Sequence, residues 1–255
     1  MFKKILSAVM ALALAAGTWT YVPSAKHGNA PLTANAYTDD DGNEYTNEVY
    51  DGFYIRKYAD HISIHIGPYS DKKVVIPAEI EELPVTQIDD FAFERRSGIT
   101  EIIIPDSITS IGRSVFYECT KLKSIKIPNS VTSMGIGVFD SCEGLTSITI
   151  PDSLTSIPDM TFYNCDNLTS VTMPDSVKSI GIHAFAKCDS LVSITIPNSV
   201  EFIDNGAFYY CKNLAKVTLP ESVKSIDIAF VECASLAEVT ILNAECEIFD
   251  DRNTI

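Results

Sequence analysis

From Ile102 onward the chain copies itself every 23 residues, with units opening at Ile102, Ile125, Ile148, Val171, Ile194 and Val217. Pro105, Pro128, Pro151, Pro174, Pro197 and Pro220 mark the same place in each copy, and the last copy is one residue short. An earlier unit opens at Val74 with about five extra residues, so Pro77 and Pro105 stand 28 apart. A unit this short cannot bury its own apolar face, so the copies must stack on one another and share a continuous core. The regularity therefore excludes a single globular core over this span and predicts a solenoid.

The internal pattern says how each coil is made. Leu145-x-x-Ile148-x-Ile150 alternates with period two, as in a strand with one buried face. Pro151-Asp152-Ser153 stops that strand, because proline has no N–H to give and Asp and Ser favour turns. Leu154 to Ile157 reads as a second short extended piece. Phe162, Cys165 and Leu168 then recur three apart, which predicts one or two turns of 3-10 or α-helix with an apolar stripe. Gly112, Gly135, Gly181, Asp204 or Asp227 opens that stretch, whereas Pro158 departs from the rule and gives one coil a different entry. Stacked at about 4.8 Å, seven units extend about 35 Å as an α/β solenoid, with a parallel sheet on one side and short helices on the other.

The pattern Leu-x-x-Ile-x-Ile-Pro-x-Ser-Val-x-x-Ile-Gly-x-x-x-Phe-x-x-Cys resembles the BspA-type leucine-rich repeat of bacterial secreted and cell-surface proteins, over residues 74–238. Asp60-His61-Ile62-Ser63-Ile64 resembles that family's N-terminal β-cap. The resemblance implies a right-handed leucine-rich-repeat superhelix and a binding role, and it implies no chemistry. Where common leucine-rich repeats carry Asn, this chain has Ser107, Ser130, Ser153, Ser176, Ser199 and Ser222, whose hydroxyls are expected to bond the turn backbone of neighbouring coils.

The start of the chain reads differently. Lys3 and Lys4 precede an apolar run from Ile5 to Ala16, too short to span a bilayer, and Ala34-Asn35-Ala36 offers a small-residue cleavage site. The expected organisation is a signal peptide over 1–36, an N-terminal segment and β-cap over 37–73, repeats over 74–238 and a partial last repeat over 239–255. Such a product is secreted, or held at the cell surface, with no membrane span after cleavage. Without residues 1–36 the net charge moves from −15 to −18, from 16 basic and 34 acidic residues. So acidic a chain repels phosphate backbones, which excludes nucleic acid as a partner. Beyond Thr240 the tail leaves the motif at Asn243 to Ile248, which predicts either a chain shortened relative to its relatives or an edge that pairs with something.

Cys119, Cys142, Cys165, Cys188 and Cys211 share one repeat position, Cys233 follows the short unit, and Cys246 lies outside the ladder. Their spacing lacks the close ligand pairs of a zinc site. Residues related by translation point their Cα–Cβ bonds in parallel, a poor geometry for a disulfide. They read as buried free thiols, with Cys246 the most exposed. His61 and His65 sit about 13 Å apart along one strand and cannot share an ion. Tyr37 to Glu48 brushes an EF-hand frame but puts Tyr37 where a carboxylate is needed, so a hairpin at Asp41-Gly42 explains it better. Leu83-Pro84-Val85-Thr86-Gln87 similarly brushes a sortase signal without its apolar tail. No nucleophile motif or phosphate loop appears, so neither catalytic residues, nor cofactors, nor metals are expected.

The outward strand positions form two files of hydroxyl side chains, Ser147, Thr149, Ser170, Thr172, Ser193, Thr195 and Thr218, with Lys and Glu toward the ends. These seven residues are the candidate binding face for a protein or glycan ligand. The expected function is non-enzymatic interaction, with adhesion as its first form. A spacer module, or an accessory protein of an extracellular carbohydrate-degrading assembly, is the alternative.

Overall fold

A computed structural model describes residues 36–67 and 72–249; the expected signal peptide lies outside the described residues. Each coil carries two short strands. Those of the first face include Lys73–Val75, Glu101–Ile103, Ser147–Thr149, Ser170–Thr172, Ser193–Thr195, Lys216–Leu219 and Glu238–Ile241. Among the described residues nine strands of the second face, from Ile62–Ile66 to Glu247–Phe249, mark eight turns of a β-solenoid. All pairings between successive coils are parallel and hold equivalent residues opposite one another, as in Ser147↔Ser170 and Ile157↔Ile180. Proline makes the corner between the faces. Its carbonyl accepts the N–H three residues on, as from Leu154 to Pro151 and Val177 to Pro174, closing a β-turn that needs no N–H from proline itself.

The third run of each coil corrects the expectation of short helices or 3-10 turns: among the described residues there is no helix. Bonds from residue i to i−3 do form, from Tyr163 to Met160, Cys165 to Phe162 and Leu168 to Cys165. Between them Met160 and Asn164 adopt φ of 53° and 57°, and the same two places are left-handed in every coil from Phe91 and Arg95 onward. The N–H groups of Met160, Phe162 and Asn164 therefore leave their own coil and donate to Ile182, Ala184 and Ala186 of the next. A helix would keep those bonds within the segment. Here alternate N–H groups join coils, and the run is a ladder of turns.

The interior is built from repeated columns. Phe93, Phe116, Phe139, Phe162, Phe185, Phe208 and Phe230 stack with ring centroids 5.2–5.6 Å apart, and the first six are fully buried. Each cysteine of the ladder donates its thiol to a phenylalanine carbonyl of the preceding coil, as Cys165 Sγ to Phe139 O at 3.1 Å. Of the serine column, Ser153, Ser176 and Ser199 donate to Val131, Leu154 and Val177 of the preceding coil. The hydroxyls of Ser107, Ser130 and Ser222 are buried without a partner.

Pro158 leaves a specific mark. At the equivalent place Gly135, Gly181 and Asp204 donate N–H to Ile111, Ile157 and Ile180. Proline cannot make that bond, and the second-face sheet divides there, between Ser133–Met134 and Ser156–Ile157. The turn ladder still joins the two coils, through Phe139 to Thr161 and Ser141 to Tyr163.

At the N-terminal end Glu44–Tyr50, Phe53–Lys57 and Ile62–Ile66 form an antiparallel meander. Its last strand pairs in parallel with Leu83–Ile88 and so enters the second face. The sortase-like stretch is part of that strand, with Val85 fully buried. Past the repeats, the tail adds Glu247–Phe249 to the second face beside Ser225–Asp227, although its sequence leaves the motif.

Candidate binding surfaces

Ser147, Thr149, Ser170, Thr172, Ser193, Thr195 and Thr218 are all exposed on the first face, because period-two alternation sends Ile148, Ile194 and Val217 inward. Ser147 stands opposite Ser170 and Thr149 opposite Thr172; Thr195 stands opposite Thr218, and Ser193 opposite Lys216. The hydrogen-bonded ladder is interrupted between Ser170–Thr172 and Ser193–Thr195, so the hydroxyl files cross two separate sheets. Charged pairs close the rows: Lys73 Nζ lies 2.8 Å from Glu101 and Lys216 Nζ 3.0 Å from Glu238. Two shallow clefts open on this face. One, of about 320 Å³, lies between Lys126 and Thr149, on the two coils whose second-face pairing is interrupted at Pro158; the other, of about 370 Å³, runs along Thr195, Lys216 and Thr218. Both are lined by isoleucine and proline at the strand ends together with a lysine and small polar side chains, which can hydrogen-bond a ligand.

The cysteines are free thiols. Burial pushes Cys119 up to about 12 and raises Cys142, Cys165 and Cys188 as well. Cys233 and Cys246 are only partly buried. The neighbouring Cys211 thiol lowers Cys233, whereas burial raises Cys246. Because the thiolate is the nucleophile, native alkylation near pH 8 should modify Cys233 and Cys246 alone. All seven should react after denaturation. Peptide mapping of the alkylated chain checks this, and early modification of Cys142 or Cys165 would contradict it.

The Tyr37 to Glu48 segment forms a hairpin in which Tyr37 faces Tyr45. The Asp39 carboxylate accepts N–H bonds from Asp41 and Asn43 at 3.1 and 2.8 Å, which engages it in the turn. His61 stacks on Tyr58 with centroids 4.4 Å apart. His65 reaches Asp89 at 3.3 Å, so the two histidines serve different neighbours.

One surface escaped the sequence reading. Tyr163, His183, Tyr209 and Tyr210 form a continuous aromatic strip on the turn run. Its signal was available, since Tyr117, Tyr163 and Tyr209 lie 46 residues apart, two repeats each time.

Fold and surfaces together define a repeat solenoid with exposed polar and aromatic rows. The model of the BspA type leucine rich repeat region matches residues 86–173 and 155–252, in six copies. The chain belongs to that family. A leucine-rich repeat protein from Bacteroides ovatus is 36% identical over 68% of this chain, with a TM-score of 0.60. The match takes in 50% of that protein, so this chain spans about half of its length. The leucine-rich repeat protein of T. pallidum is 28% identical, with a TM-score of 0.51, over 84% of this chain and 82% of its own. No curated protein matches the chain.

Proposed function

We propose that this protein is a non-enzymatic interaction module, secreted or displayed at the cell surface, that binds a protein or glycan through the hydroxyl face of its solenoid. Membership of a repeat family whose members are typically interaction modules supports that reading, as does the basic and apolar pattern of residues 1–16. Among the described residues no helix is long and apolar enough to cross a membrane. The observation that carries the proposal is the two files of seven exposed hydroxyl side chains, held in register by parallel pairing within each of two sheets. Each contact is weak alone, and the repeated row gains by avidity.

Replacing Thr149, Thr172 and Thr195 together with lysine should abolish partner capture from the protein's natural surroundings. The same change should leave the melting curve nearly unchanged, because exposed substitutions of this kind cost within about 0.5 kcal/mol each. Capture that survives the triple variant would refute this face and favour a spacer role for its hydroxyl rows.

A further inference from the structure

The turn run carries one residue per coil in the column Tyr117, Asp140, Tyr163, Ala186 and Tyr209. Tyrosine thus returns at every second coil, about 10 Å along the stack. Between Tyr163 and Tyr209 the column holds only buried Ala186, which leaves the two half-buried rings as separate ridges. His183 stands edge-on to both. Its centroid lies 6.4 Å from Tyr163 at 72° and 6.0 Å from Tyr209 at 63°.

Gly206 makes room for that imidazole. A Cβ there would come within 2.4 Å of His183 Cε1. His183 Nδ1 lies 3.2 Å from the Gly206 carbonyl, which can only accept. The neutral ring therefore carries its proton on Nδ1 and turns a lone pair on Nε2 away from that bond.

Lysine ammonium groups lie over two of the rings. Lys187 Nζ lies 5.0 Å from the Tyr163 centroid, and Lys212 Nζ lies 4.9 Å from that of Tyr210 and 2.6 Å from Asp189. Burial raises the carboxyls of Asp140 and Asp166, and Lys187 acts on both in the opposite sense. Three carboxylates thus meet two lysines, one of them already paired. That balance disfavours an anionic partner. Rings covered by flexible lysine side chains, with polar groups beside them, suit a ligand that has an apolar C–H face and many hydroxyls.

We propose that Tyr163, His183 and Tyr209 form a binding site for a neutral β-1,4-linked oligosaccharide lying along the stacking axis. Two pyranose units of such a chain are about as long as two coils, and alternate units present the same face. Each tyrosine therefore meets an equivalent sugar face, and Tyr117 extends the row by one more step. The rings are already held by their neighbours, so little side-chain entropy is lost on binding. This site is on the turn run and stands independently of the hydroxyl face.

Calorimetric titration of the full chain with cellohexaose, chitohexaose and the β-1,3-linked laminarihexaose tests the proposal. At least one of the β-1,4 hexaoses should bind, and more tightly than laminarihexaose. The Y163A/Y209A variant should bind it about tenfold more weakly, the loss expected for two aromatic contacts. G206A keeps both tyrosines in the chain but crowds His183 and, at a φ of 60°, strains the turn that carries Tyr209, and should also weaken binding; it carries the test if the double variant fails to fold. Replacing Thr149, Thr172 and Thr195 with lysine should leave this binding unchanged. No heat with either β-1,4 hexaose at millimolar concentration would overturn the proposal. So would laminarihexaose binding as tightly, G206A binding at full strength, or loss of sugar binding in the threonine variant alone.

Discussion

Phe162→Ala should destabilise the solenoid by about 3–5 kcal/mol and break its unfolding into two stages. Phe162 is fully buried, stacked between Phe139 at 5.6 Å and Phe185 at 5.2 Å. Truncation leaves a cavity at two coil interfaces at once, and the main-chain ladder on either side resists collapse into it. Phe162 N–H donates to Ala184, and its carbonyl accepts the Cys188 thiol at 3.2 Å. In a stack, stability is approximately a sum of repeat and nearest-neighbour terms. A weak joint in the middle therefore lets one half melt before the other. The first midpoint should fall by on the order of 10 °C, with Cys165 and Cys188 becoming reactive to alkylating agents in that first stage. Phe162→Leu keeps most of the volume and should cost less than half as much. A single sharp transition close to that of the unaltered chain would show that the phenylalanine column does not couple the coils.

The strands, the corners and the buried columns were legible because each depends on residues within one unit. Period two fixes Ile148 and Ile150 inward and Ser147 and Thr149 outward. Pro151 ends the strand by lacking an N–H, and the exposed hydroxyl files follow from the same alternation. The turn run was misread for an equally local reason. Phe162, Cys165 and Leu168 stand three apart in a helix and also in successive i to i−3 turns, so spacing alone cannot separate the two. Left-handed residues decide the matter, and glycine marks that conformation only at Gly137 and Gly206. In other coils Ser114, Met160 and His183 occupy such places, held there by hydrogen bonds to the next coil. Pro158 was recognisable as a departure, but its consequence, a divided sheet, depends on the carbonyl it fails to reach one coil away.

The least legible feature was the join between cap and repeats, and it has the second large expected effect. Asp89 occupies the repeat place that Gly112, Gly135 and Gly181 fill in later coils. Its carboxylate lies 2.9 Å from Arg56 Nη1 and 3.3 Å from His65 Nδ1, with 12% of the side chain exposed. Ser63, itself fully buried, donates its hydroxyl to the other oxygen. Arg56 lies off the line of a hydrogen bond to Asp89 Oδ2, which remains without one, so the attraction there is ionic. Asp89 also donates its N–H to Ile64 at 2.8 Å, continuing the ladder from Ile64↔Ile88. Asp89→Ala would leave the partly exposed Arg56 cation and the buried Ser63 hydroxyl without their partner, at a cost of about 1–3 kcal/mol. Asp89→Asn, which can still accept from Ser63, should lose less. Because coils interact mainly with their neighbours, the damage should stay at this end. Hydrogen exchange should quicken at the amides of Ile62 to Ile66 and remain slow at Ser179 and Ile180. Equal acceleration at both places would mean that the cap and the distant coils unfold as one unit, and that Asp89 holds the whole stack rather than its first joint.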